Sequence, residues 1–278
     1  MEGYYIEAKR FSEEAKLIMS RLSKNELLQI IAGSFTKSLD ALITSKIITL
    51  KKFSSFLYNT GVIMKDFFTR EFASARTNFK GYLRGVTPRI MDATLENFCY
   101  GKTYINNKIK EFNQLDFTQK KDLLISGLLW TGMVFLVGGG PDFEGGAPDL
   151  DIKMGGIGNH RSVFFHTILL AFSLEFTFRF VVNLLRCGRN YLPQRRSVIW
   201  NGIDRLIKEL DRNESIMISG IWVGIAIHLF KDANIFADRV KPYVGIPKEL
   251  SMQSHQNIFV TNSFLSFIFS NPTSVRKI

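Results

Sequence analysis

The sequence predicts an all-α protein, a helical bundle with amphipathic N-terminal helices and three to four apolar helices in its C-terminal half that suit a membrane. Three observations support this fold class. No proline occurs before Pro88, and a long proline-free stretch favours long helices. Apolar residues in the N-terminal part recur three or four positions apart, as in amphipathic helices. Beyond residue 120, long apolar runs alternate with glycine-rich or basic connections.

The N-terminal part opens with two predicted helices. The first is predicted to start at Phe11 and Ser12, ahead of "EEAKLIMSRL". The second starts at Ser23, which forms a capping box with Glu26 ahead of an apolar run. Its apolar positions have helical spacing: Leu27, Ile30, Ile31, Phe35, Leu39 and Leu42.

Residues 51–89 continue the amphipathic pattern, with phenylalanine on one side and lysine or arginine on the other. One interpretation is a helical bundle with its aromatic face inward. The other is a basic amphipathic surface that rests on anionic lipid. We therefore predict two regions: residues 1–120, amphipathic, basic and helical, and residues 121–278, associated with a membrane.

The second region contains the apolar runs. Leu123–Gly140 has no charge before its glycines and is about the shortest run that crosses a bilayer. Val163–Leu185 is longer and carries an ion pair predicted from its four-residue spacing, Glu175 with Arg179. Ser215–Phe230 contains a GxxxG spacing, which suits close helix approach. Asn257–Ser270 is a weaker fourth run.

Charge predicts where the protein lies and what it contacts. The formal net charge is +11, which favours an acidic partner such as an anionic membrane surface. The strongly basic segment 186–212 is typical of a cytoplasmic loop. The N-terminus does not read as a signal peptide. We expect an inner or cytoplasmic membrane, with the N-terminal region in the cytoplasm. Nucleic acid is not an expected partner, because no recognition motif is present.

Metal-binding side chains are concentrated in two places. The segment "PDLDIKMGGIGNHRSVFFHT", residues 148–167, holds two aspartates and two of the four histidines, and "HLFKD" adds a histidine and an aspartate on one helix face. In an extended segment the first two carboxylates would project to one side. Mixed nitrogen and oxygen donors suit zinc and other divalent metals. The six predicted metal ligands are Asp149, Asp151, His160, His166, His228 and Asp232.

Each of these motifs also has a purely structural interpretation. A DxD in a glycine-rich loop is often an ordinary turn, and an HxxxD pair is often only a side-chain contact. Their co-occurrence beside apolar helices favours a shared site. On one continuous helix the six-residue separation would place His160 and His166 on different faces, so we expect His160 and Asn159 in a loop or cap and His166 inside the helix. The fourth histidine, His255, is predicted to be a surface residue outside the site.

These motifs resemble those of the YdjM-like family of inner-membrane, metal-dependent hydrolases. That family shows PDxD, then HRGxTHS before a hydrophobic helix, then GxxxHLxxD, and this chain has "PDLD", "NHRSVFFHT" and "GIAIHLFKDAN". The resemblance covers about residues 138–234. The matching positions are Asp149, Asp151, His160, Arg161, His166, Thr167, Gly224, His228 and Asp232. Ser162 replaces the family's glycine, and His160 and His166 are one residue further apart than the family's pair.

The resemblance implies metal-dependent hydrolysis, with a divalent ion, zinc being the expected one, and a phosphoester or lipid-linked substrate. Asp149 or Asp232 would be the general base or would hold a histidine in place. Arg161 would hold an anionic group of the substrate, the alternative being a solvated or lipid-facing cation. The alternative is a membrane effector or interaction protein without catalytic activity. In that case the histidines and aspartates form a structural metal site or a polar packing network.

Overall fold

A computed structural model describes residues 2–44, 102–103, 106–156, 160–235, 242–244 and 250–270. These residues form eight helices and no β-strand, which confirms the predicted all-α class. The helices are α1 Glu2–Arg21, α2 over residues 24–44, α3 over residues 106–114, α4 Phe117–Gly138, α5 Leu150–Gly155, α6 Ile168–Arg189, α7 Val198–Ala233 and α8 Met252–Phe269. The amphipathic pattern of residues 51–89 lies outside the described residues.

The two N-terminal helices meet at the predicted capping box. The Ser23 amide donates to Glu26 Oε2 at 2.9 Å, and the Glu26 amide donates to Ser23 Oγ at 3.2 Å. These reciprocal bonds satisfy two amides at the start of α2 that have no partner within the helix. The capping box is therefore confirmed. The predicted start of α1 at Ser12 is wrong, because α1 begins at Glu2.

The chain divides into two compact units, residues 1–49 with 126–278, and residues 50–125. The first unit contains α1, α2 and the helices from α5 to α8, and it holds the whole candidate site. By contacts, therefore, the first two helices belong with the C-terminal helices. The predicted division at residue 120 rests on composition and stays a prediction.

Among the helices that the structure describes, three are long and apolar enough to cross a membrane: α4, α6 and α7. The central one is α7, since 72% of its most apolar window is buried, against 28% for α6 and 17% for α4. With 36 residues, α7 is about 54 Å long, which exceeds the roughly 30 Å hydrocarbon core of a bilayer. Its second half is the apolar part. The shorter α8 packs along α7.

Two glycines of α7 allow α4 to approach closely. A Cβ atom on Gly220 would lie 2.7 Å from the Trp130 carbonyl oxygen, and one on Gly224 would lie 2.6 Å from the Val134 carbonyl oxygen. Only glycine avoids these overlaps. The close approach predicted from the GxxxG spacing is confirmed, and it fixes the end of α4 beside the end of α7.

An ion network, buried at Glu175 and Arg179 and exposed at Lys37, joins α2, α6 and α7. Arg179 Nη2 lies 2.8 Å from Glu175 Oε1, which confirms the predicted pair. Arg179 also contacts Glu214, and Lys37 of α2 lies 3.0 Å from the same carboxylate. Trp222 Nε1 donates to the second Glu175 oxygen at 2.7 Å. Each buried charge therefore has an opposite charge or a donor beside it, as burial requires.

Candidate metal centre

The candidate site forms where α4 ends, α6 begins and α7 ends. After α4 the chain turns back through glycines with positive φ. A Cβ atom on Gly146 (φ 79°) would lie 2.5 Å from the Val137 carbonyl oxygen, so only glycine fits this return. The Ala147 amide donates to that same oxygen at 2.9 Å. The turn carries Asp149 back to the end of the bundle.

The local backbone differs from two expectations. Asp149 and Asp151 do not lie in an extended segment, because α5 begins at Leu150 with Asp149 as its N-cap residue. His166 does not lie inside α6 but in the turn before it, where Thr167 is the N-cap and its hydroxyl accepts from the Leu169 amide. Both differences arise because short helical turns, rather than regular elements, carry the side chains inward.

Four atoms from three chain segments face one another. His166 Nε2 lies 3.2 Å from Asp232 Oδ2 and 3.8 Å from Asp149 Oδ1. His228 Nε2 lies 3.6 Å from Asp232 Oδ2 and 3.8 Å from Asp149 Oδ1. We call these four side chains the metal centre. Their facing atoms form a compact set of two imidazole nitrogens and two carboxylate oxygens.

These four atoms share a second property. Each is buried and has no hydrogen-bond partner among the described residues. Buried polar atoms that make no hydrogen bond are costly and rare in folded proteins. Each of these four lies 3.2–3.8 Å from two opposite partners within the set, and such a group of donor atoms is one that a metal ion would satisfy.

The nitrogen–oxygen separations are compatible with a divalent metal site. Zinc bonds of about 2.0–2.1 Å to nitrogen and oxygen place tetrahedral ligands about 3.3–3.4 Å apart. The four nitrogen–oxygen separations run from 3.2 to 3.8 Å. Asp149, His166 and His228 form one group of metal-capable side chains, and Asp232 lies beside the two histidines.

The other polar atom of each ligand is held in place. The Gly145 amide donates to Asp149 Oδ2 at 2.8 Å, and Arg161 donates to Asp232 Oδ1 at 2.9 Å. His228 Nδ1 lies 3.0 Å from the Gly138 carbonyl oxygen. His166 Nδ1 lies 3.3 Å from Asp151 Oδ2 but makes no hydrogen bond among the described residues. A proton on His228 Nδ1 leaves its Nε2 lone pair free for a metal. The four outer partners are Gly138, Gly145, Asp151 and Arg161.

All six predicted ligands lie together, but two stand beside the metal centre. Asp151 is buried, and its Oδ2 accepts from the Ser162 amide at 3.0 Å. His160 Nδ1 lies 3.5 Å from Asp149 Oδ1 and 3.5 Å from Asp151 Oδ1. With His166 these two form a second group of metal-capable side chains. That any of the six binds a metal stays a prediction.

Arg161 is fixed by contacts on several sides. Its backbone has φ 69°, in a region that costs a non-glycine residue about 1 kcal/mol or more. Its carbonyl accepts from the Val244 amide at 3.1 Å, and its guanidinium lies 5.3 Å from the Phe259 ring centre. These contacts restrain Arg161, whose bond to Asp232 orients that carboxylate.

Two residues around the centre were not predicted from the sequence. Tyr243 is buried, and its hydroxyl donates to the His166 carbonyl oxygen at 2.7 Å. The prediction for His255 is wrong: it is 2% exposed in α8, and its Nδ1 accepts from the Tyr243 amide at 3.3 Å. No sequence pattern marks Tyr243. The only signal for His255 was its place just ahead of the weak apolar run that forms most of α8.

The electrostatics of the centre lower the pKa of Asp149 and raise that of His166. Burial by itself raises the pKa of Asp149. The facing histidines outweigh burial and lower this pKa, and His166 has the largest lowering effect. Burial lowers the pKa of His166, yet Asp149 and Asp232 outweigh this and raise it above 6.5. Burial also raises the pKa of Tyr243, which stays neutral. The centre therefore has negative charge to offer a cation.

The segments that hold the ligands also expose apolar side chains. Met154 of α5 is 78% exposed, and Leu150, on the same short helix, is also exposed. Val163 and Phe164 are exposed in the turn between His160 and His166. Exposed apolar residues beside the ends of apolar helices suit a membrane interface.

Comparison with protein-family models, with curated proteins and with solved structures finds no match for this chain. The resemblance to the YdjM-like family therefore stays a prediction, and a proposal about function rests on the geometry of the site alone.

Proposed function

We propose that the protein is a membrane-associated metal-dependent hydrolase, with zinc in the centre formed by Asp149, His166, His228 and Asp232. The observation that carries the proposal is a cluster of four buried donor atoms that make no hydrogen bond, with nitrogen–oxygen separations of 3.2–3.8 Å. The held outer atoms support it, since metal-binding histidines commonly bond a carboxylate or a carbonyl through the other ring nitrogen. The three helices long enough to cross a membrane support the location.

When bound, zinc would polarise a substrate oxygen and make a water molecule acidic enough to ionise near neutral pH. The protein's own side chains would hold the substrate and move the proton. With Asp149 and Asp232 both holding the metal, the partly exposed His160 beside Asp149 is placed to accept a proton, since its Nδ1 lies 3.5 Å from Asp149 Oδ1. Arg161 would orient Asp232 and place a positive charge beside an anionic group of the substrate.

We further propose that the substrate is lipid-linked and carries a phosphoester. The exposed apolar side chains at 150, 154, 163 and 164 would contact an acyl chain or the bilayer interface. A soluble phosphoester would gain nothing from them. Anionic membrane lipid is the proposed partner, in an inner or cytoplasmic membrane with the N-terminal region in the cytoplasm.

Metal analysis of the purified protein in detergent tests the proposal. We expect about one zinc per chain, and loss of that zinc in His166→Ala and His228→Ala. His255→Ala is the matched control, because His255 is equally buried but bonds a backbone amide outside the centre. Zinc retained in both site variants would contradict the centre.

The second candidate function is a non-catalytic membrane effector with a structural metal site. One observation favours it: four protein ligands form a closed set, as in structural zinc sites, whereas catalytic sites commonly keep one position for water. Lipid-vesicle leakage and hydrolysis separate the two. Leakage that survives loss of His160, His166 and His228, with no hydrolysis of phosphoester lipids, would favour the effector.

A further inference from the structure

The two ends of the apolar bundle can be told apart. At the metal end, α4 finishes, α6 begins and α7 finishes. Gly138, the last residue of α4, contacts His228 of α7 through its carbonyl oxygen. Lys231 of α7 reaches back to the connection after α4, where it donates to the Asp142 carbonyl oxygen at 2.7 Å and to Glu144 Oε1 at 2.9 Å.

The opposite end, which we call the basic end, holds the connection from α6 to α7. Arg189 lies 3.0 Å from Asp204 there, and Arg186 contacts Asp211. The helix α1 packs against this end, since Glu14 accepts from the Ser197 amide at 3.0 Å. Arg10 of α1 donates to a backbone carbonyl of the same connection.

The length of α6 separates the two ends. Its 22 residues span about 33 Å, close to the roughly 30 Å hydrocarbon core of a bilayer. The polar first half of α7 extends the basic end further, since α7 is longer than the bilayer core. If the apolar helices cross a membrane, the two ends therefore lie on opposite faces of it.

Positive charge is distributed unequally between the ends. The connection at the basic end, residues 186–212, carries seven lysines and arginines: Arg186, Arg189, Arg195, Arg196, Arg205, Lys208 and Arg212. The metal-end connection of similar length, residues 139–167, carries two, Lys153 and Arg161. Residues 231–251, from the last turn of α7 to the start of α8, carry four lysines and arginines. Two further lysines, at 120 and 121, come just before the apolar part of α4.

Lysine and arginine near the ends of spans stay in the cytoplasm. We propose that the basic end faces the cytoplasm and that the metal centre opens on the opposite, extracytoplasmic side of the membrane. Its substrate would then be an amphiphile with a phosphate headgroup, drawn from the extracytoplasmic leaflet. This inference rests on the membrane insertion in the proposed function, but not on zinc or on hydrolysis.

Thiol labelling in spheroplasts of a bacterial host tests the orientation. Cys99 and Cys187 are first replaced by serine in the full chain. One cysteine is then added at the metal end, Met154→Cys, or at the exposed Gln194 of the basic end, Gln194→Cys. A membrane-impermeant maleimide should label the Met154→Cys variant equally before and after permeabilisation. It should label the Gln194→Cys variant only after the membrane is permeabilised.

Leu250→Cys and Arg195→Cys provide a second exposed pair, and labelling in denaturant gives the total thiol. Metal-end labelling that appears only after permeabilisation would overturn the proposed orientation, as would equal labelling of both ends in intact spheroplasts. Release of the protein by an alkaline carbonate wash would overturn it together with the membrane location. Zinc content, measured on the same preparations, would still report on the metal centre separately.

Discussion

Replacing Gly224 by alanine would place a methyl group against the backbone of α4. The new Cβ would lie 2.6 Å from the Val134 carbonyl oxygen and 3.1 Å from the Gly138 amide nitrogen. Ordinary contact begins at 3.4 Å, so α4 would have to recede by about 0.8 Å. Overpacking of this kind destabilises a protein by about 1–3 kcal/mol.

The same displacement would reach the metal centre. His228 Nδ1 lies 3.0 Å from the carbonyl oxygen of Gly138, the last residue of α4. If the full displacement lengthened this contact, it would reach about 3.8 Å, too long for a hydrogen bond. Losing an outer partner of a metal-binding histidine typically lowers metal affinity by about 10–100-fold. We therefore expect Gly224→Ala to weaken both the fold and zinc binding.

Gly202→Ala on the same helix is the matched control, because a Cβ there meets nothing within 4 Å. Alanine should stabilise that position by up to about 1 kcal/mol. Thermal unfolding in detergent should show Gly224→Ala melting roughly 2–10 °C below Gly202→Ala. Zinc competition with a chromophoric chelator would measure affinity. Equal melting temperatures and equal zinc affinities in the two variants would refute the reasoning.

Three further predictions concern the site and the ion network. Asp151→Asn should lower zinc affinity by about 10–100-fold without changing the stoichiometry at saturation, because it removes the negative charge 3.3 Å from His166 Nδ1. Complete loss of zinc would instead make Asp151 a ligand. Zinc affinity should rise by up to about tenfold per pH unit until the raised pKa of His166 is passed, since the proton must leave before zinc binds. A titration that is flat above pH 6.5 would contradict this. Arg179→Met should lower the free energy of unfolding by about 3–5 kcal/mol, because it leaves buried Glu175 without an opposite charge. Lys108→Met, in an exposed pair, should lower it by less than about 1 kcal/mol. Equal losses in denaturant unfolding would contradict the network.

The features predicted correctly are mostly local along the chain. The capping box at Ser23 and the Glu175–Arg179 pair depend on spacings of three and four residues, which helix geometry fixes. The glycines at 220 and 224 predict a close approach, although not which helix approaches. Local spacing determines these features whatever the rest of the fold, so the sequence suffices for them.

The geometry of the site depends on backbone conformations that the sequence does not reveal. His160 and His166 would face apart on one continuous helix, but a turn replaces the helix and places their ring centres 5.4 Å apart. The contact between Tyr243 and His166 joins segments 77 positions apart and follows no periodic pattern. The co-occurrence of the two motifs predicted which residues cluster, while the distances between their side chains required the structure.

The metal centre draws its side chains from the segments before α6 and from the last turns of α7. During synthesis, therefore, Asp149 and His166 are made well before His228 and Asp232. A zinc ion held by all four side chains can be acquired only after α7 has been made and packed against α4 and α6. Metal occupancy would then report completed assembly, and a chain with a misplaced α7 would remain empty and be distinguishable from mature protein by its zinc content.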